Sequence, residues 1–410
     1  MFRWFKGVPT LSRDPNKIEE LLTRGVERIF PSPEFLKKAL LSGRQLKIYL
    51  GIDPTGPTLH LGHAIPIMKL AEFQALGHQV ILLIGDQTAM IGDPTDKSAT
   101  RQKLTRAEVL KNCRNYKKQA SKILKFTGTN KAELRYNSKW LNKLSLTSLL
   151  ELASNLTYAQ TIKRDMFQQR ISEGRDLYLH EFLYPLMQGY DSVAMDVDGE
   201  VGGNDQTFNM LVGRDLLKKI KNKEKFVITS KLLEDTSGKK MGKTEGNMVT
   251  LSDAPNEMFG KIMSWPDTLI PIGLELLTFL PMNEVKNLVS SLTKGVNPKE
   301  VKSRLAFEVV KIYHNAKAAE GAVKNFNATF KAGAIPENVL TVKTAPDLLS
   351  EVLLKAKMVE SKTEFRRLVS EGAIEDLDGK TRISNPTAKV EKTTNLKIGK
   401  KRFIKIEVEK

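Results

Sequence analysis

Between Lys47 and Ile84 the chain carries the pattern that most restricts its fold. Lys47-Ile-Tyr-Leu-Gly-Ile52 is a short apolar run, and Asp53-Pro-Thr-Gly-Pro-Thr58 is dense in turn formers. Leu61, Ile65, Met68, Ala71 and Ala75 then recur on one helical face, Gly77 supplies a stop, and Val80-Ile-Leu-Leu-Ile84 is unbrokenly apolar. An apolar run without alternation suits a strand buried on both faces of a parallel sheet. Strand, helix and strand in that order form a right-handed crossover unit. The expected fold is therefore α/β, with a Rossmann-like doubly wound parallel sheet.

The rest of the chain is read around that unit. Residues 1–40 read as a helical lead-in, with Ile18, Leu21, Leu22 and Val26 at helical spacing. Phe226-Val-Ile-Thr-Ser230 is a further strand, so the catalytic domain is expected over residues 41–250, with an inserted helical segment. The basic stretch from Arg101 to Lys125 reads as a solvated helix face. An α-helical domain is expected over residues 251–335. Gly333, Pro336 and Pro346 mark the stretch from Ala332 to Ala345 as a linker.

Residues 346–410 read as a small α+β tail. Ser361-Lys-Thr-Glu364 is a capping box opening a helix that carries Arg366 and Arg367 and ends at Gly372. Asp378-Gly379 signals a hairpin turn, and Ile404 to Glu409 alternates apolar and charged residues. A basic helix beside a small sheet at a chain end points to RNA.

Charge agrees with that direction. Among 410 residues, 65 Lys and Arg oppose 47 Asp and Glu, a net +18 that suits a polyanionic partner, nucleic acid or acidic lipid. A generally basic proteome would give the same balance, so charge alone does not decide. No apolar run approaches the roughly 20 residues of a membrane span. Met1 to Leu11 is basic and aromatic without an apolar signal core, so a cytoplasmic location is expected. Cys113 is the one cysteine, which excludes an internal disulfide framework and a cysteine-cluster metal site.

Four segments carry candidate chemistry. His60-Leu-Gly-His63 stands where the first strand's loop enters its helix. A helix N-terminus carries about +0.5 of a charge and free N–H groups. Two imidazoles one turn apart there can donate to phosphate, and Gly62 allows close backbone approach. Two surface histidines, or half of a zinc site, are the alternatives; zinc would require a further ligand, and no HExxH or cysteine partner is present. Lys239-Lys-Met-Gly-Lys-Thr244 nearly spells a P-loop. Gly238 and Gly242 enclose three residues where four are needed, so that reading and a P-loop kinase fail. A glycine-bearing loop presenting two lysines remains, able to close over a triphosphate. Tyr184, Gln188 and Asp191, at i, i+4 and i+7, share a helix face that suits a polar ligand pocket or a capped surface. Gly202-Gly-Asn-Asp-Gln206 offers close backbone approach, with Asp205 suited to ribose hydroxyls.

The order and spacing of Asp53-Pro-Thr55, the two histidines, the Gly-Gly-Asn-Asp-Gln block and Lys240-Met-Gly-Lys-Thr244 resemble the class I aminoacyl-tRNA synthetases. The closest resemblance is to the bacterial-type tyrosyl-tRNA synthetases, over nearly the whole chain. The tail is similar to the small RNA-binding fold named for ribosomal small-subunit protein S-four. Two departures stand out: Met-Gly in place of the common Met-Ser in the lysine loop, and Asn204 where Ser or Thr is usual.

The resemblance implies the following roles. Tyr49 and Asp191 bind the phenol hydroxyl of tyrosine, and Tyr184, Gln188 and Asp93 hold its ammonium group. Gln206 faces its carboxylate. Gly51, Asp53, Thr55 and Gly62 lie beside ATP, with His60 and His63 on its phosphates and Gly203 and Asp205 on adenosine. Lys240, Lys243 and Thr244 form the pyrophosphate loop, with Lys97 and Arg101 assisting there or at the tRNA acceptor end. Arg366, Arg367, Lys400, Lys401 and Arg402 contact RNA.

The implied activity is tyrosine–tRNA ligation in two steps, with L-tyrosine, ATP and tRNA(Tyr) as substrates, magnesium arriving with ATP, no resident metal, and a homodimer. The alternatives are a tryptophanyl-tRNA synthetase, against which Tyr49 and the tail argue, and a catalytically silent RNA-binding factor on a synthetase scaffold, against which His60, His63, Lys240 and Lys243 argue.

Overall fold

The apolar runs pair as their composition demands. In the computed structural model, which describes residues 11–94, 104–234, 248–331, 340–356, 358–379, 381–399 and 402–408, a six-stranded sheet organises the first unit. Its strands are β1 (Val26–Phe30), β2 (Lys47–Ile52), β3 (Gln79–Ile84), β4 (Glu133–Tyr136), β5 (Gly199–Gly203) and β6 (Phe226–Ser230). They lie in the order β1-β6-β5-β2-β3-β4. All neighbours are parallel except β1 and β6. From β2 the chain winds outward through β3 and β4, then returns to place β5 on the other side of β2. The order therefore reverses between β2 and β5. Ligands of such sheets bind at the carboxyl ends of the strands flanking that reversal.

The lead-in departs from its expected helical form. Its helix spans Pro15–Thr23, and Gly25 at φ +62° breaks it. Val26, expected on that helix face, instead opens β1 and pairs with Ser230 of β6. A left-handed glycine ends a helix wherever the apolar spacing alone would continue it.

Contacts divide the chain into Met1–Ala319 and Glu320–Lys410. Helices follow the sheet from Pro255–Met263 onward, and the division falls inside the last of them, Ala316–Lys331. In the second unit, Leu340–Thr344 lies parallel to Arg402–Val408 in a five-stranded sheet. This corrects the expected linker: its last residues are a strand, paired to the end of the chain. The helix Lys362–Ser370 is capped as expected, with Ser361 Oγ accepting from the Glu364 N–H at 3.1 Å. Phe365, Leu368 and Val369 pack on Ile374, Leu396, Ile404 and Ile406 to give this unit its own core. Among the described residues no helix is long and apolar enough to cross a membrane.

One buried histidine makes the fold acid-sensitive. His78, 1% exposed, accepts the Leu46 N–H on Nδ1 at 3.2 Å. Burial lowers its pKa from 6.5 to about 4, with Asp198 opposing. The unfolded chain takes up this proton first, so the contribution is complete above pH 6.5 and is lost as pH falls toward 4. It amounts to at most about 3 kcal/mol. Urea midpoints across that range should fall less steeply for His78→Asn than for the parent; equal slopes would exclude His78 as the titrating group.

Candidate active site

At the carboxyl ends of β2 and β5, the expected residues converge. Gly51 is exposed within the otherwise buried end of β2, and a Cβ there would meet only ordinary contacts. Its bareness relieves no internal clash. Asp53 follows, and the helix Leu61–Ala75 begins with His60 as its N-cap.

The His60 ring folds back so that Nδ1 accepts the Gly62 N–H at 3.1 Å, and His63 Nδ1 accepts the His60 N–H at 3.3 Å. The rings lie 3.9 Å apart. Each Nδ1 is an acceptor, so the proton of each neutral ring sits on Nε2, which makes both rings donors away from the backbone. A Cβ on Gly62 would meet the His60 ring at 2.9 Å, which is why glycine stands there. The backbone also bridges His60 to Thr250, with the Leu61 N–H on Val249 O at 3.0 Å. Lys240, Lys243 and Thr244 lie outside the described residues, as do Lys97, Arg101, Lys400 and Lys401. The chain that follows the lysine segment is nevertheless fixed against the histidine turn.

A continuous polar network runs inward from Asp53. The Tyr184 hydroxyl donates to Asp53 Oδ2 at 2.9 Å, and Thr88 Oγ1 donates to Asp53 Oδ1 at 2.7 Å. Asn137 Nδ2 donates to Thr88 Oγ1 at 3.1 Å and to Asp191 Oδ2 at 3.3 Å. Trp140 Nε1 donates to Asp191 Oδ1 at 2.7 Å. Burial drives the Asp191 carboxyl well above the usual carboxylate range, with the Trp140 and Asn137 donors opposing. The Tyr184 phenol is raised by burial and then by Asp53 and Asp93.

Tyr49, fully buried on β2, meets Ser192 Oγ at 3.0 Å instead of bonding Asp191 directly. Gln206 Nε2 donates to Asp93 Oδ2 at 2.7 Å, joining two expected pocket residues. Gln188 Oε1 is buried and has no hydrogen-bond partner among the described residues, an acceptor awaiting a donor. Gly203 makes room for Asp205, whose Oδ1 would lie 2.5 Å from a Cβ there; Asp205 itself is exposed. In the second unit, Arg366 and Arg367 are exposed, while Arg402 donates to Met358 O and pairs with Glu364 at 3.0 Å.

Sequence reading missed Gly85, Thr88, Asn137, Trp140 and Ser192. A signal existed for three of them. Gly85 and Thr88 follow β3 and Asn137 follows β4, at the same carboxyl edge as Asp53. A Cβ on Gly85 would lie 1.9 Å from Asp53 Oδ1. Among the described residues, no cluster of three or more His, Cys, Asp or Glu could hold a metal ion.

The arrangement joins buried polar groups, Tyr49, Tyr184 and Asp191, through Asp53 to the carboxyl edge of the sheet, where a helix N-terminus carries two imidazole donors. Residues 41–331 match the family described as tRNA synthetases class I (W and Y), which places the chain in that class. The tyrosine–tRNA ligase of Carboxydothermus hydrogenoformans is 43% identical over 95% of this chain and 98% of its own length. That of Haemophilus influenzae is 41% identical over 97% and 98%. A truncated mitochondrial tyrosyl-tRNA synthetase from Coccidioides posadasii superposes with a TM-score of 0.62 at 26% identity, over 75% of this chain and 91% of that one. Its Aspergillus nidulans counterpart gives 0.66 at 23%, over 77% and 94%. The chain belongs to the tyrosine–tRNA ligase family.

Proposed function

We propose that the chain activates L-tyrosine with ATP and transfers it to tRNA(Tyr). A tyrosine carboxylate oxygen attacks the α-phosphorus of ATP, and the bond to pyrophosphate breaks with its electron pair leaving on pyrophosphate. A ribose hydroxyl at the tRNA 3′ end then attacks the carbonyl carbon, and AMP leaves. The carboxylate is already a nucleophile, so the protein must chiefly position reactants and neutralise charge.

The observation that carries this reading is the buried Gln188 Oε1, unpartnered among the described residues, on the helix that also bears Tyr184 and Asp191. An ammonium group supplies the missing donor there, with Tyr184 and Asp93 beside it. Asp191 and Tyr49 then meet the phenol hydroxyl. His60 and His63 donate to the ATP phosphates, and Lys240, Lys243 and Thr244 close over pyrophosphate. Gly51, Asp53, Thr55, Gly62, Gly203 and Asp205 flank the nucleotide, and Gln206 serves the carboxylate. Magnesium enters as the ATP complex, held by phosphate oxygens and water. Tryptophan as substrate and a silent RNA-binding role are not favoured, since the full-length relatives are tyrosine ligases.

ATP–pyrophosphate exchange across the twenty amino acids tests the assignment: tyrosine alone should support it, and equal exchange with tryptophan would overturn it. His63→Ala should slow adenylate formation by about 10²–10³, as for loss of one transition-state donor. Tyrosine binding by equilibrium dialysis should stay unchanged; a loss of tyrosine affinity at an unchanged rate would put His63 in a different site.

The reading extends to a cytoplasmic homodimer. Leu146, Leu150, Tyr158, Tyr178 and Leu179 are large, apolar and exposed, Leu179 at 86%, and all lie within one stretch of the chain. We infer that a second copy of the chain packs against this stretch and covers them. Leu179→Glu should halve the mass seen by sedimentation velocity, and an unchanged mass would reject this face as the interface.

A further inference from the structure

Lys225, immediately before β6, has no solvent exposure. Its Nζ donates to Ser192 Oγ at 2.8 Å and to Glu200 Oε2, and stands 5.7 Å from the centroid of the Tyr49 ring. Glu200 is the register partner of Tyr49 across β2 and β5. The space for the ammonium comes from a glycine crossing of two helices, Leu179–Met195 and Thr207–Lys221. A Cβ on Gly213 would lie 2.8 Å from Ser192 Oγ, 2.9 Å from Lys225 Nζ and 3.2 Å from Gly189 Cα.

Burying such a pair is no route to stability in itself, because desolvation opposes the attraction and apolar replacements are often neutral or better. What the pair does control is the direction of hydrogens. An ammonium has donors and no acceptor, so Ser192 Oγ must accept from Lys225. The Ser192 hydrogen then points to Tyr49 Oη. Glu200, held by Lys225, is itself a hydrogen-bond partner of the Tyr49 hydroxyl, so Lys225 fixes both groups that set the direction of that hydroxyl.

We propose that Lys225 and Glu200, acting through Ser192, are positioning residues that orient the Tyr49 hydroxyl and set the preference for tyrosine over phenylalanine. This rests on the assignment of Tyr49 to the tyrosine pocket. In Lys225→Met the tyrosine KM in pyrophosphate exchange should rise about tenfold, the weight of one hydrogen bond. The KM for ATP and the exchange constant for phenylalanine should not move. The double variant Lys225→Met/Glu200→Gln leaves no unpaired buried charge and carries the test if the single variant fails to fold. Added to Tyr49→Phe, the Lys225 change should have no further effect on the tyrosine-to-phenylalanine ratio, whereas a merely structural role would lower it again. A folded double variant with the parent's tyrosine KM and ratio, beside a Tyr49→Phe variant whose KM is raised, overturns the proposal alone. An unchanged KM in Tyr49→Phe removes the pocket assignment, and the proposal with it.

Discussion

Asp191→Ala is expected to lower tyrosine activation on the order of 10²-fold and to erase most discrimination against phenylalanine. A hydrogen bond to a carboxylate is worth about 1.5–3 kcal/mol, and buried donors left without an acceptor add to the loss. Here Trp140 Nε1 and Asn137 Nδ2 both donate to Asp191, so alanine would orphan the indole N–H and leave Asn137 only its Thr88 acceptor, as well as release the substrate hydroxyl. Sites built to bond a hydroxyl reject the analogue lacking it far more strongly than apolar pockets reject a methylene, tyrosyl enzymes being the known instance. Asp191→Asn keeps an acceptor for Trp140 and separates the hydroxyl contact from the scaffold. Exchange rates with tyrosine and phenylalanine for both variants decide the matter. A tyrosine KM within twofold of the parent's in Asp191→Ala would exclude the residue from the pocket.

A chain ending at Lys331 is expected to make tyrosyl-adenylate and to lose tRNA charging. The cut belongs before Leu340, because Leu340–Thr344 is a strand of the tail's own sheet and would otherwise be left without its partner. The tail has a separate core, and no expected adenylation residue lies in it. Arg366 is exposed, and exposed Arg367 pairs with Glu371 at 3.1 Å, a surface pair with which phosphate can compete; Arg402 is committed to Glu364 and Met358 O, and its removal would act through the fold. Full-length tRNA binding should weaken steeply with salt, and the truncation should flatten that slope. Charging unchanged in the truncated chain would show that the tail is not the RNA-binding element. Exchange lost in a folded truncation would show that the activation site needs the tail.

Strands β2, β3 and β6 were legible because buried parallel strands leave unbroken apolar runs; β4 and the glycine-rich β5 leave none and were not legible as strands. The helix between β2 and β3 was legible as a helix, but it is buried on most sides, and Ala75 of its expected apolar face is exposed. β1 was not legible either. Its residues, Val26-Glu-Arg-Ile-Phe30, neither alternate cleanly nor run apolar, and Val26 continues the preceding helix face until Gly25 is seen in a left-handed conformation. At the site, residues in compact motifs were readable: the histidine turn, the Gly-Gly block and the Tyr184–Asp191 face. Trp140 carries no local signal; Asn137, placed by β4, and Ser192, next to Asp191, take on their contacts with Asp191 and Tyr49 only once the sheet order is known. Lys225 gave no sign, since a lysine before a strand reads as solvated until the glycine crossing above it is known.

The pairing of β1 with β6 has a consequence during synthesis. About 200 residues separate the two strands. At bacterial-to-eukaryotic elongation rates, β1 waits roughly 10–40 s for its partner to leave the ribosome. A strand held that long without its ladder partner leaves backbone N–H and C=O groups open to association between nascent chains. Glu27 and Arg28 are exposed at its centre, opposite charges side by side where the finished protein gains little from either. Charges at such a position oppose pairing of the waiting strand with a neighbour's.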